Sequence, residues 1–159
     1  MNIQNMSVIP VWIGLIFLNS LLGRQLYNRV QSLGGSTLFL LIILAASVLC
    51  IRFASHFIRR EKAGESLLYL LIAFASGFLL ELPEERVHIV LFGFLGFLLG
   101  IHSHRPASQW LLFGLLLAVL DEGLQTLLPY RVGDLRDIII NSLSLLLGAL
   151  AALRCGMRR

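Results

Sequence analysis

The sequence predicts an all-α fold, a polytopic bundle of about six membrane-spanning helices. Hydrophobic residues make up 57% of the chain and charged residues only 14%, with a mean hydropathy of +0.84, a balance foreign to a soluble domain. The apolar residues also come in runs of roughly 17–23, the length that crosses a ~30 Å hydrocarbon core at ~1.5 Å per residue. In lipid such runs must be helical, because a helix satisfies its own backbone polar groups.

Taken in order, the predicted spans cover residues 7–22, 36–57, 65–80, 84–102, 108–128 and 134–153. The first has Pro10 in its opening turn, where a missing N–H costs little. No basic region precedes it and no small-residue cleavage site follows, so it reads as a retained span and not as a signal peptide. Breakers separate the spans: Gly34-Gly35, Gly64, Pro83, Pro106, and Pro129 with Gly133.

The net charge of +4 does not point to nucleic acid, since the Lys and Arg residues stand singly at helix ends with no basic run between aromatics. They read better as topology signals. Six spans gather Arg52, Arg59, Arg60, Lys62, Arg105, Arg154, Arg158 and Arg159 on one side, and Arg24, Arg29, Arg86, Arg131 and Arg136 on the other. Basic residues accumulate in the cytoplasm, so both termini are expected inside, although Arg24 and Arg29 directly after the first span favour the reverse. Cys50 and Cys155 have no disulfide or metal spacing and read as free thiols. Neither a metal nor a cofactor is expected; the His102-Ser103-His104 pair lies at the end opposite the acidic residues.

Polarity concentrates in residues 121–141, DEGLQTLLPYRVGDLRDIIIN, which hold four of the nine acidic residues. Ionisable groups at membrane depth usually face a bundle interior or a wet cavity. On the fifth span Gly114, Ala118, Glu122 and Gln125 fall on one stripe, and on the sixth Asp137, Asn141, Ser144 and Gly148 do the same. Asn141 lies two turns inside its span, where its amide needs a partner, and Glu122 or Gln125 is the expected one. On the fourth span Glu84 and Glu85 stand four and three residues before His88, so either carboxylate can orient the imidazole. Six spans put the third and fifth loops on one face, so these two polar clusters are expected to meet. Structural readings compete at several of these positions. Asp134 suits an N-cap with Asp137 in the first turn, and Pro83 with Glu84 and Glu85 suits an ordinary helix start. Glu122, Gln125 and Asn141 resist that explanation, being deep in a span or at a helix C-terminus.

The pattern Glu122-x-x-Gln125-x-x-x-Pro129-x-Arg131-x-x-Asp134-x-x-Asp137-x-x-x-Asn141 resembles the signature of VanZ-like membrane proteins. Glu85-Arg86-x-His88, followed by Phe92, is similar to that family's second motif, with Ser144 where Gly is usual and Phe92 where Tyr is common. The motifs span residues 65–153, which gives a division into 1–64, two N-terminal transmembrane helices of no recognised family, and 65–159, a VanZ-like transmembrane domain. The resemblance implies a multi-pass protein of the bacterial cytoplasmic membrane and a connection with resistance to the glycopeptide teicoplanin.

The expected function is therefore binding at an outer-face polar pocket, the ligand being a membrane lipid headgroup or a lipid-linked cell-wall precursor. Arg131 and Arg86 would hold its phosphate or carboxylate, since guanidinium offers a bidentate fork. Glu122, His88 and Asp137 would handle protons, with Gln125, Asn141, Glu85 and Asp134 completing the pocket. Two other classes stay open. One is a membrane-embedded hydrolase or transferase with Glu122 or His88 as general acid/base. The other is a small proton-coupled transporter, against which the charges gather at one face instead of midway.

Overall fold

A computed structural model describes residues 8–77, 80, 83–102, 106–129 and 134–155, with the side chains of Arg60, Pro83 and Glu84 left aside. Arg131, expected in the site, and His104 lie outside the described residues. The described residues form five α-helices and no strand: α1 (Val8–Ser55), α2 (Ala63–Ser76), α3 (Pro83–His102), α4 (Ala107–Thr126) and α5 (Leu135–Arg154), with one 3-10 turn at Arg60–Lys62.

Helix α1 is two helices joined at Gly35, whose φ of 68° and ψ of −172° break the helical path. The break turns the chain back on itself. The rings of Trp12 and Phe53 both contact Phe94, at 4.7 and 5.7 Å, whereas a straight helix would hold residues 12 and 53 ~60 Å apart. Tyr27 on the first arm also meets Phe39 on the second, 4.9 Å between ring centroids. Gly35 is the residue that tolerates this φ without a Cβ penalty. Two arms of α1 and α2 to α5 thus make six helical segments, the number the hydropathy predicts. Four helices, α1 counted as one, are long and apolar enough to cross a membrane. The expected third span is shorter than predicted, ending at Ser76 after 14 residues.

Side-chain contacts fix the directions. Trp12 donates from Nε1 to the Leu91 carbonyl (2.8 Å) and Asn19 reaches His88, so the first arm runs antiparallel to α3. Phe53 meets Phe94 and Phe57 meets His102, so the second arm runs parallel to it. Ser66 donates to the Ala151 carbonyl across α2 and α5 (2.7 Å), at the start of one helix and the end of the other. Successive segments therefore alternate in direction. The start of α3, the end of α4 and the start of α5 share one end of the bundle, while Arg52, Arg59, Lys62 and Arg154 share the other. At that second end Arg154 and Lys62 both approach Glu65 (3.6 and 3.7 Å).

Helix α3 is the axis of the bundle. Every residue from His88 to Leu99 is buried, and α1, α2, α4 and α5 all pack on it. Its glycines allow α5 in to backbone contact: a Cβ on Gly96 would stand 2.0 Å from the Leu145 carbonyl oxygen, and one on Gly148 1.7 Å from that of Gly93. Small residues at such a crossing let helices pack closely without the hydrophobic drive that water supplies. The outward faces carry leucine, with Leu41, Leu49, Leu112, Leu116, Leu143 and Leu153 all exposed. That surface suits lipid and would be an aggregation hazard in water.

Candidate functional site

The two polar clusters meet where the spans placed them, but through a partner the sequence left unassigned. At the end of α4, Asp121 and Glu122 are adjacent, so they point ~100° apart around the helix. Asp121 turns to α3 and the first arm of α1. Its Oδ2 lies 3.2 Å from His88 Nδ1 and accepts from Gln125 Nε2 at 3.3 Å. Its Oδ1 accepts from the Ser20 hydroxyl, which also reaches its own helix at the Ile16 carbonyl. Glu122 turns to α5, where its Oε1 accepts from the Asp134 N–H at 2.7 Å.

His88 is held on both edges. While Nδ1 faces Asp121, Nε2 lies 3.2 Å from Nδ2 of Asn19. With the amide nitrogen as donor, Nε2 is the acceptor, while Nδ1 lies within ion-pair distance of the Asp121 carboxylate without the geometry of a hydrogen bond. Phe92, one turn further in, lies nearly parallel to the imidazole at 6.4 Å and closes the cluster from the apolar interior. A tyrosine there would have set a hydroxyl in this floor. His88, Asp121, Gln125 and Ser20 are all buried, where each hydrogen bond is strengthened by low dielectric and each orphaned group is costly.

A second polar layer links α3 to α5. Arg136 approaches Glu85 at 3.4 Å, with Glu85 buried and Arg136 half exposed. Asp134 accepts from the Arg136 N–H (2.9 Å) and caps α5. Asp134 therefore acts twice in forming the helix start, through its carboxylate on Arg136 and its N–H on Glu122. Asp137 falls in the first turn of α5, within electrostatic range of Glu122. Arg86, expected to face a ligand, directs its guanidinium at the Leu80 carbonyl (3.3 and 2.9 Å).

Asn141 overturns one expectation. Its side chain is fully buried, yet among the described residues neither its oxygen nor its nitrogen has a hydrogen-bond partner, so it bonds neither Glu122 nor Gln125. The physical reason is competition. Gln125 is engaged with Asp121, and Glu122 is drawn to the backbone at Asp134, about two turns before the level of Asn141 on α5. Oε2 of Glu122 is likewise buried and has no hydrogen-bond partner among the described residues.

Three residues of the cluster were not foreseen as site residues: Asn19, Ser20 and Asp121. The signal for the first two was an Asn-Ser pair interrupting a leucine run, two adjacent polar residues deep in a span. No group of three His, Cys, Asp or Glu side chains with metal-binding geometry occurs among the described residues.

A model of the VanZ/LLP1 family matches residues 7–156. The match takes in both arms of α1, which the sequence motifs do not reach, in keeping with the side chains that this segment gives to the cluster. No curated protein and no solved structure matches the chain.

Proposed function

Because the chain belongs to the VanZ/LLP1 family and its helices are those of a multi-pass membrane protein, we propose that its buried polar cluster binds the headgroup of a membrane lipid or of a lipid-linked cell-wall precursor. One observation carries this reading. Asn19, Ser20, His88, Asp121 and Gln125 converge from three helices on one buried cluster near the end of the bundle, where headgroups lie. Structural glue alone would not need an acid–imidazole pair, which costs desolvation energy on both partners.

In this reading the site end faces outward and both termini lie in the cytoplasm of a bacterial inner membrane, with the basic end of the bundle inside. The resemblance to VanZ-like proteins adds an envelope role tied to glycopeptide resistance. The Asp121 carboxylate beside Nδ1 favours a proton on the His88 ring, and Nε2 is free to meet the ligand once Asn19 yields. Arg131, and Arg86 once it leaves the Leu80 carbonyl, would supply positive charge for a phosphate.

A catalytic version of the same site is favoured by the His88 geometry, an imidazole oriented by a carboxylate as a general base requires.

The test is lipid retention by the purified protein in nanodiscs, read by native mass spectrometry. His88→Gln and Asp121→Asn should each lose bound lipid while the protein stays folded. Undiminished retention in both folded variants would overturn the reading.

A further inference from the structure

The polar cluster is closed unevenly. Ser20, His88, Asp121 and Gln125 are buried, and Phe92 seals the interior side. Asn19 is its half-buried member, so the way to His88 Nε2 leads past the Asn19 amide. Asn19 is also the least fixed. The Ser20 hydroxyl has both Asp121 and the Ile16 carbonyl, and Asp121 has His88, Ser20 and Gln125. Among the described residues the Asn19 side chain has a single hydrogen bond, the 3.2 Å contact of Nδ2 with His88 Nε2. Breaking that one bond frees the ring nitrogen.

Gly23, one turn on along the first arm of α1, is an independent observation. The three atoms nearest to a Cβ placed there all belong to the Asn19 amide group, Oδ1 at 2.8 Å and Cγ at 3.2 Å among them. At Gly96 and Gly148 a Cβ would meet the backbone of another helix. At Gly23 it would meet the far end of one side chain, so the missing Cβ is room for the amide that reaches His88. An amide is also suited to take a ligand's place on an imidazole. It donates through Nδ2 to a bare Nε2 or, turned over, accepts through Oδ1 from Nε2–H. A headgroup hydroxyl or phosphate oxygen does one or the other.

We infer that Asn19 is an internal competitor for the site: its amide holds the place on His88 Nε2 that a headgroup oxygen takes, and Gly23 leaves it room to do so. The inference rests on the headgroup reading above and adds how the affinity of that site is set. Apparent affinity is the intrinsic affinity scaled by the fraction of time the place is open. Removing the amide therefore strengthens binding, whereas removing a ligand contact weakens it and removing a structural prop brings no gain.

The experiment measures retention of phosphatidylglycerol, whose headgroup carries hydroxyls and a phosphate, by the full chain released from nanodiscs into native mass spectrometry. Asn19→Ala should retain at least threefold more lipid than the wild type. Gly23→Ala, which keeps the amide but crowds it, should give a smaller rise. Gly14→Ala should give none, since a Cβ there meets nothing within 4 Å. Combined with His88→Gln, Asn19→Ala should bring no gain, because the gain acts through Nε2. Unchanged or reduced retention in Asn19→Ala, or a gain that persists beside His88→Gln, overturns the competitor assignment and leaves the headgroup reading standing. Should Asn19→Ala fail to fold, Gly23→Ala decides alone, and retention no higher than the wild type's overturns the assignment. No retention by the wild type or any variant overturns both readings. Displacement of the lipid by low concentrations of free glycerol phosphate overturns the lipid source and assigns the site to a soluble phosphate.

Discussion

A Cβ atom added to Gly148 would stand 1.7 Å from the carbonyl oxygen of Gly93. The obstacle is backbone on both sides, so α3 and α5 must separate to admit even a methyl group. Gly148→Ala should therefore cost about 1–3 kcal/mol, the range for overpacking a well-filled core, toward its upper end. Gly123→Ala is the control, since a Cβ there meets nothing within 4 Å. Thermal unfolding in detergent should show a clear drop in Tm for the first and none for the second.

Asp121 and His88 form a buried pair, and removing one partner should hurt more than removing both. Breaking such a pair typically costs ~3–5 kcal/mol, because a charge stays buried without its counterpart. His88→Ala and Asp121→Ala are each expected to lower Tm, and His88→Ala with Asp121→Ala to lower it by less than their sum. Strict additivity in that double-mutant cycle would mean that the two side chains do not interact.

Asn141→Leu should leave the protein as stable or more stable while depriving it of ligand. Its amide is buried and has no hydrogen-bond partner among the described residues, and a polar group left unsatisfied costs about 1–3 kcal/mol. A rise in Tm together with loss of lipid retention separates a binding residue from a structural one. A fall in Tm would show that the amide has a partner in the folded protein.

Alternating segment directions put Glu61 and Arg154 at one end of the bundle and Leu128, after α4, at the other. Reporter fusions at these three places should read inside, inside and outside. A fusion at Leu128 that reports on the same side as Arg154 would rule out the bundle as described.

Much of the fold was legible because hydropathy runs and breakers mark membrane helices directly. Gly34-Gly35 signalled the turn within α1, and the stripe ending at Gly148 marked the face of α5 that packs closely. Membership in the cluster was harder to read. Asp121 and Glu122 are neighbours in sequence, but ~100° of helical rotation sends one to α3 and the other to α5. Which of the two meets His88 depends on which helices adjoin. Asn19 and Ser20 stood out as a polar pair in a leucine run, but their partners could not be read, since these depend on the first arm of α1 lying against α3 and α4. The pairing expected of Asn141 failed because spacing places a residue on a face without saying which neighbours are already engaged.

The turn at Gly35 also has a meaning for biosynthesis. Ser20 and Asp121 are separated by 101 residues, and the helices enter the membrane in order of synthesis. When the first hairpin is already inserted, Asn19 and Ser20 still lack the partners that come with α3 and α4. An early hairpin with two unmet polar side chains is a substrate for quality control until the fifth segment arrives. The polar cluster is thus completed one segment before the chain ends, and nascent chains halted before α4 should be degraded faster than those halted after it.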